Sequence, residues 1–235
     1  MSKPSLHRVY WQGFRGGLPF LLVVVPFGVL FGVLAGEAGW NLGQILGMSV
    51  LVIAGASQFT ALQLLQEHAP TLIVVGAALA VNLRLAMYSA SMAQHIGTAP
   101  LWQRALVAYF LVDQTYGAAM NRYELQPRAS TAEKIAYFFG GATPVCGPWY
   151  LATYAGAVAG AAIPEALALD FAVPVAFIAI VAPMLRSVPQ LVAALVSVAV
   201  ALALAWMPYS LWLIVAAILA MLAGAAAEVW QERRG

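Results

Sequence analysis

Of 235 residues, 63% are hydrophobic and only 9% charged, with a mean hydropathy of +0.86; soluble domains carry about 25% charged residues, so the chain reads as an all-α integral membrane protein. A formal net charge of +2, with no basic stripe interleaved with aromatics, excludes nucleic-acid binding. A single cysteine, Cys146, excludes an intrachain disulfide and a Cys-cluster metal site, and His7, His68 and His95 are scattered without an HExxH pattern, so no metal or cofactor is expected.

Lys3, Arg8 and Arg15 precede an apolar run from Gly16 to Gly36. That run exceeds a signal-peptide h-region of about 7 to 15 residues and lacks a good small-x-small cleavage site, so it predicts helix 1 over Leu18 to Leu34. After a turn at Glu37 to Asn41, helix 2 is predicted from about Leu42 to Leu65, interrupted within Ile53-Ala-Gly-Ala-Ser-Gln-Phe-Thr60. Backbone loosened at membrane depth persists only against protein or a water-filled cavity, so a broken helix 2 is the first candidate site. Pro70 closes a polar turn, and helix 3 follows from Thr71 to about Gln94. Helix 4 is predicted as one continuous element over Leu101 to Asn121.

Residues 122–133 form a cytoplasmic linker within a single transmembrane domain spanning 1–235, with halves at about 14–121 and 134–230. Helix 5 runs over about Ile135 to Ala159 and helix 6 over about Ala166 to Leu185, with Asp170 as a solvated helix-end charge. The uncharged stretch from Ser187 to Ala227 is long enough for two spans, helix 7 (Pro189 to Trp206) and helix 8 (Tyr209 to Val229), turning at Met207-Pro208. A polytopic bundle of about eight transmembrane helices results; seven, with one short run re-entrant, is the alternative. With eight helices, the positive-inside tendency puts both termini in the cytoplasm. Only Arg104 then falls outside, and Arg84 lies within the membrane.

The halves echo each other faintly. Pro26-Phe-Gly28 with Gly32 and Gly36 parallels Gly147-Pro148 with Gly156 and Gly160. An internal repeat and close helix packing through small residues account for this equally.

Charges deep in lipid cost about 2.5 to 3.5 kcal/mol on insertion scales and face a partner or a cavity. Arg84 and Asp113 both fall near mid-depth, which allows them to pair. The pair either locks two helices together or works: Asp113 taking up and releasing a proton, Arg84 answering with a substrate carboxylate. At the interruption, Gly55 and Ser57 either expose a half-helix N-terminus suited to a carboxylate or serve as packing contacts. The amides of Gln58 and Asn82 need partners in lipid. Tyr88, Ser89, Ser91 and Tyr116 either line a cavity or bond neighbouring helices.

The series Pro26-Phe-Gly-Val-Leu-Phe-Gly32, Ala54-Gly-Ala-Ser-Gln-Phe59, Asn82-Leu-Arg-Leu-Ala-Met-Tyr88 and Asp113-Gln-Thr-Tyr116 resembles the AzlC (YgaZ) family, large subunits of bacterial branched-chain amino acid exporters. The resemblance runs from about Phe14 through helix 6. It implies export of valine, leucine, isoleucine or similar apolar amino acids across the inner membrane, driven by the proton motive force, with a small AzlD-like membrane subunit as partner. The residues expected to carry this are Gly55, Ser57, Gln58, Asn82 and Arg84 for substrate and Asp113 for protons. The rival readings are a channel and a structural subunit whose partner holds the transport site. An enzyme is not expected, because no nucleophile with a base and no metal ligand set occurs.

Overall fold

The computed structural model describes residues 5–160, 185, 187–208 and 211–233; among these all regular structure is helical. Predicted helix 6 and Asp170 lie outside the described residues. The chain divides into two compact units, Met1–Leu62 with Ala78–Pro164, and Gln63–Ala77 with Glu165–Gly235.

In the first unit, α1 (Leu6–Gly17) is capped by the Ser5 side chain, which accepts the Arg8 N–H at 3.4 Å. A 3₁₀ turn at Leu18–Phe20 joins α1 to α2 (Leu21–Glu37), so helix runs without interruption from Leu6 to Glu37. The element therefore begins well before the predicted Leu18. Its first part is amphipathic: Val9, Gly13 and Gly17 are buried at helical spacing while Arg8, Trp11, Gln12 and Arg15 are exposed. A window tuned to apolar runs misses such a segment.

α8 (Thr131–Gly160) passes through Pro144 and Pro148 as one helix and lies alongside α1 and α2 in the same direction. A Cβ at Gly13 would strike Tyr137, and one at Gly17 would lie 2.7 Å from the Gly141 carbonyl oxygen. Further along, Gly28 faces Trp149 and Ala152, and Gly32 faces Thr153 and Ala157. From the other side Gly140 meets Tyr10, Gly156 meets Val29 and Gly160 meets Val33. Of the glycines that echo between the halves, Gly28, Gly32, Gly156 and Gly160 thus interlock across one seam, where missing side chains let the backbones approach, whereas Gly147 meets nothing within 4 Å.

The other elements are fixed by this pair of rods, taking the end where α1 and α8 begin as the first end and the opposite one as the far end. α5 (Thr71–Ile96) finishes at the first end, where the Thr98 hydroxyl lies 2.9 Å from that of Thr131 at the start of α8. The predicted continuous helix 4 is instead two helices, α6 (Leu101–Tyr109) and α7 (Asp113–Leu125). α7 runs parallel to α5: Arg84 meets Asp113, Tyr88 meets Tyr116, Ser91 meets Met120 and His95 meets Tyr123. α6 runs the other way, its Leu101 to Leu111 flank lining a cleft with Ser89 to Ile96. α6 and α7 are therefore a hairpin that enters and leaves at the first end. Arg122 near its close confirms this by donating to Gln12 of α1 at 2.7 Å.

Helix 2 is broken as the sequence suggested, into α3 (Leu42–Leu51) and α4 (Gly55–Gln66). α2 finishes at the far end and α3 follows it, and the bond from Gln58 Nε2 to Ser49 Oγ folds the start of α4 back beside α3, so the two form a second hairpin. Its closing turn places His68 at φ 56° and bonds the Ala69 N–H to Leu64 O at 2.9 Å. Neither predicted helix 2 nor helix 4 crosses from end to end, since each is split into hairpin arms of 9 to 13 residues that at about 1.5 Å each reach only halfway.

In the second unit, α9 (Val188–Ala203) and α10 (Leu211–Glu232) pack together, with Gly224 against Ala193. Ser187 and Gln190 cap α9 reciprocally. Among the described residues, Leu6–Glu37, Thr71–Ile96 and Leu211–Gln231 are long and apolar enough to cross a membrane.

Candidate substrate site

The tips of the two hairpins meet. Tyr109, the last residue of α6, donates its hydroxyl to the Val50 carbonyl at 2.6 Å, next to the end of α3. Two helix N-termini and two helix C-termini thus converge inside the first unit, so partial positive and partial negative helix ends sit side by side.

At the first break, Val52 leaves helical geometry (φ −130°, ψ 88°) and the helix restarts at Gly55. A Cβ at Gly55 would lie 3.0 Å from the Trp149 ring, so this glycine keeps the indole of α8 against the tip. The Ser57 hydroxyl donates to Ala54 O at 3.0 Å and accepts from Asn82 Nδ2 at 3.0 Å, tying α4 to α5. Gln58 is fully buried, and its Nε2 donates to Ser49 Oγ at 3.1 Å, bridging the two arms of the hairpin.

At the second break, Thr115 accepts the Val112 N–H at 2.9 Å and returns its own proton to carbonyls of the break. Asp113 therefore opens α7, where a carboxylate is favoured by the helix dipole. Arg84 Nη1 meets Asp113 Oδ2 at 3.0 Å, and the two side chains remain 39% and 40% exposed. A charge pair that open cannot rest on hydrocarbon; it faces water or another polypeptide. Tyr88, one turn beyond Arg84, lies within reach of the Asp113 carboxylate and stacks on Tyr116 with ring centres 4.1 Å apart. The Tyr116 hydroxyl continues to Ser91 at 3.2 Å.

Five atoms at this patch are buried without a hydrogen-bond partner: Gln58 Oε1, Asn82 Oδ1, Arg84 Nε, Asp113 Oδ1 and the Nε1 of Trp149, whose ring packs on Gly55. Buried polar atoms are ordinarily paired, and an orphaned one costs about 1 to 3 kcal/mol, so a concentration of them marks where something else binds. The expected residues divide accordingly. Ser57, Gln58 and Asn82 form one hydrogen-bonded group, Arg84 and Asp113 form the ion pair, and Gly55 packs against Trp149. Sequence reasoning missed Ser49, Tyr109 and the second break. The signal for the break was present: Asp113 with Thr115 is a helix-start pattern, hidden because the flanking residues are apolar enough to continue a helix.

The AzlC protein family matches residues 19–163, a span that holds both hairpins and every residue of this patch. The chain belongs to the AzlC family. Its relatives include an uncharacterized membrane protein of Helicobacter pylori strain 26695, 31% identical over 131 residues and 56% of each chain. Another, from Archaeoglobus fulgidus, is 28% identical over 190 residues and 79% of each. The inner membrane protein YgaZ of Escherichia coli K12 is 25% identical over 174 residues, 72% of this chain and 70% of YgaZ. The chain spans about half the length of the Helicobacter relatives it matches. No solved structure matches it. As an AzlC member with membrane-protein relatives, it is a membrane protein.

Proposed function

We propose that this AzlC chain is a secondary transporter that exports branched-chain or similar apolar amino acids across the bacterial inner membrane. It couples export to protons and acts with a small AzlD-like subunit. The observation that carries the reading is the set of orphaned polar atoms where the two hairpin tips meet. An amino acid brings one anionic and one cationic group to a place that offers both signs. The carboxylate suits Arg84 and the first-turn N–H groups of α4 from Gly55 to Ser57, which have no carbonyl one turn earlier to bond. The ammonium suits the free amide oxygens of Gln58 and Asn82. Asp113 is the proton carrier, alternately paired with Arg84 and released when a substrate carboxylate takes its place.

Opposed hairpins suit alternating access, because opening either one exposes the same tips to one side only. Charge supports the orientation. Arg8, Arg15, Arg104, Arg122, Arg128 and Lys134 all belong to the first end, whereas the far end of α2 carries Glu37. The first end is thus the cytoplasmic one, with the N-terminus there. Arg104, the lone exception under eight spans, ceases to be one because the α6–α7 hairpin returns to the first end. We read the C-terminus as cytoplasmic as well, from Arg233 and Arg234.

A second reading draws on the half-open Arg84–Asp113 pair: the chain is a structural subunit and a partner resting on that face completes the transport site. Efflux of preloaded labelled valine from proteoliposomes, with and without an AzlD-like subunit and under an imposed pH gradient, tests both. Saturable, gradient-driven efflux from the chain alone refutes the second reading. Activity only with both subunits favours it. No efflux in either preparation, despite correct insertion, refutes export of this substrate class.

A further inference from the structure

α8 passes beside both hairpin tips. The Tyr150 hydroxyl lies 3.3 Å from that of Tyr109, the residue that bonds the Val50 carbonyl, so this level of α8 is the level of the tips. Trp149, its neighbour in sequence, belongs to the apolar cluster that holds Leu111 and Val112 of the second break, with Ile53 of the first packed against it. The six-membered ring of the indole closes on the start of α4, 3.0 Å from where a Cβ of Gly55 would stand. Trp149 is 7% exposed, and its indole N–H has no hydrogen-bond partner.

That orphan is out of place. Tryptophan in a membrane protein ordinarily sits at the interface with its N–H toward water, whereas Trp149 is about 15 residues past Lys134, roughly 22 Å along α8. An indole N–H donates and cannot accept, so turning a hydroxyl nearby does not relieve it unless an acceptor is in reach. Among the described residues six buried side-chain atoms lack a partner, and two of them, Trp149 Nε1 and Arg84 Nε, can only donate. Gln58 Oε1, Asn82 Oδ1 and Asp113 Oδ1 accept, yet none takes either proton. Donors and acceptors are both left over at one patch, the pattern that suits a ligand carrying an anionic and a cationic group.

We propose that Trp149 is a further substrate-binding residue, its indole N–H donating to the carboxylate of the transported amino acid. The inference rests on the reading that an amino acid binds where the hairpin tips meet. A carboxylate offers about four lone-pair sites, more than Arg84 alone fills, and a neutral donor adds a bond without a second buried charge to desolvate. Trp149 also differs from the other binding groups in what carries it. Gly55, Ser57 and Gln58 stand on a hairpin, whereas α8 is locked to α1 and α2 by the glycine seam. The indole is thus the part of the site fixed to the rods.

Valine binding to the purified full chain in detergent, with and without an AzlD-like subunit, is measured by isothermal titration calorimetry. Wild type is compared with Trp149→Phe, which keeps an aromatic ring and removes the N–H. A second chain carries benzothienylalanine at position 149, where sulfur replaces the N–H in a ring of nearly the same shape, and it keeps the test open should Trp149→Phe fail to insert. Wild type binds valine, and both changes weaken that binding about tenfold, as loss of one hydrogen bond to a charged group requires. The benzothienyl chain unfolds at the wild-type temperature when valine is absent, because the N–H it lacks had no partner within the protein. Valine binding equal to wild type in the benzothienyl chain overturns the role of Trp149 and leaves the amino-acid reading standing. No valine binding by wild type in either preparation overturns both.

Discussion

The seam between α1–α2 and α8 and the patch where the hairpin tips meet belong to the same unit and meet opposite demands. Along the seam, glycines bring backbones together so closely that a Cβ at Gly32, Gly140 or Gly156 would strike a carbonyl oxygen of the neighbouring helix. In the patch, Gln58, Asn82, Arg84 and Asp113 keep atoms unsatisfied although each is part of a bonded group. Lipid supplies no hydrophobic drive between helices, so the seam holds by contact and tolerates little change of shape. The patch is expensive by the same rule and persists because the seam and the hairpins fix it in place.

The comparison breaks most visibly at Gly32. Gly32→Val drives a branched side chain into Thr153 and Ala157 of α8. Overpacking of this kind costs about 1 to 3 kcal/mol or more, and the variant is expected to lose its monodisperse peak in detergent size-exclusion. An unchanged peak and unfolding temperature would show that the seam yields.

Next in size is Asp113→Asn, which keeps a hydrogen-bond acceptor for Arg84 but cannot carry a proton. It is expected to abolish gradient-driven valine efflux while the protein still inserts and elutes normally. Wild-type efflux in this variant removes Asp113 from coupling and leaves the Arg84 pair as a lock between α5 and α7.

Ser49→Ala is a smaller change. It removes the acceptor of Gln58 Nε2 inside a fully buried group and should lower stability by about 1 kcal/mol, the worth of one hydrogen bond. A higher apparent KM for valine is expected with it, because the amide is no longer oriented; an unchanged KM would mean that Gln58 does not touch substrate.

The smallest effect belongs to Gly36→Ala. Gly36 lies one turn beyond Gly32, and a Cβ there would meet only Ala157 O at 3.9 Å, an ordinary contact. Thermal unfolding should shift upward slightly, by up to about 0.5 to 1 kcal/mol, since alanine restricts the unfolded chain more than glycine. A loss as large as that of Gly32→Val would show that the seam extends further than its contacts do.

The sequence alone determined that this is an all-helical membrane chain, because hydropathy is a sum over residues and needs no partner. It also pointed to the stretch beside the helix 2 break, since Gly55, Ser57, Gln58 and Thr60 interrupt an apolar run, while leaving a continuous helix open, and it allowed Arg84 and Asp113 to pair, since charges at matched depth have few other partners in lipid. The direction of each element was decided only by the tertiary structure. A half-length helix that turns back and a full-length helix that continues have the same local composition, and only the register of contacts between α5 and α7, and the end at which α5 meets α8, separates them. The candidate patch depends on that difference, because the two hairpins bring Tyr109 to Val50, Gln58 to Ser49 and Asp113 to Arg84 across gaps in the chain that no sequence period records.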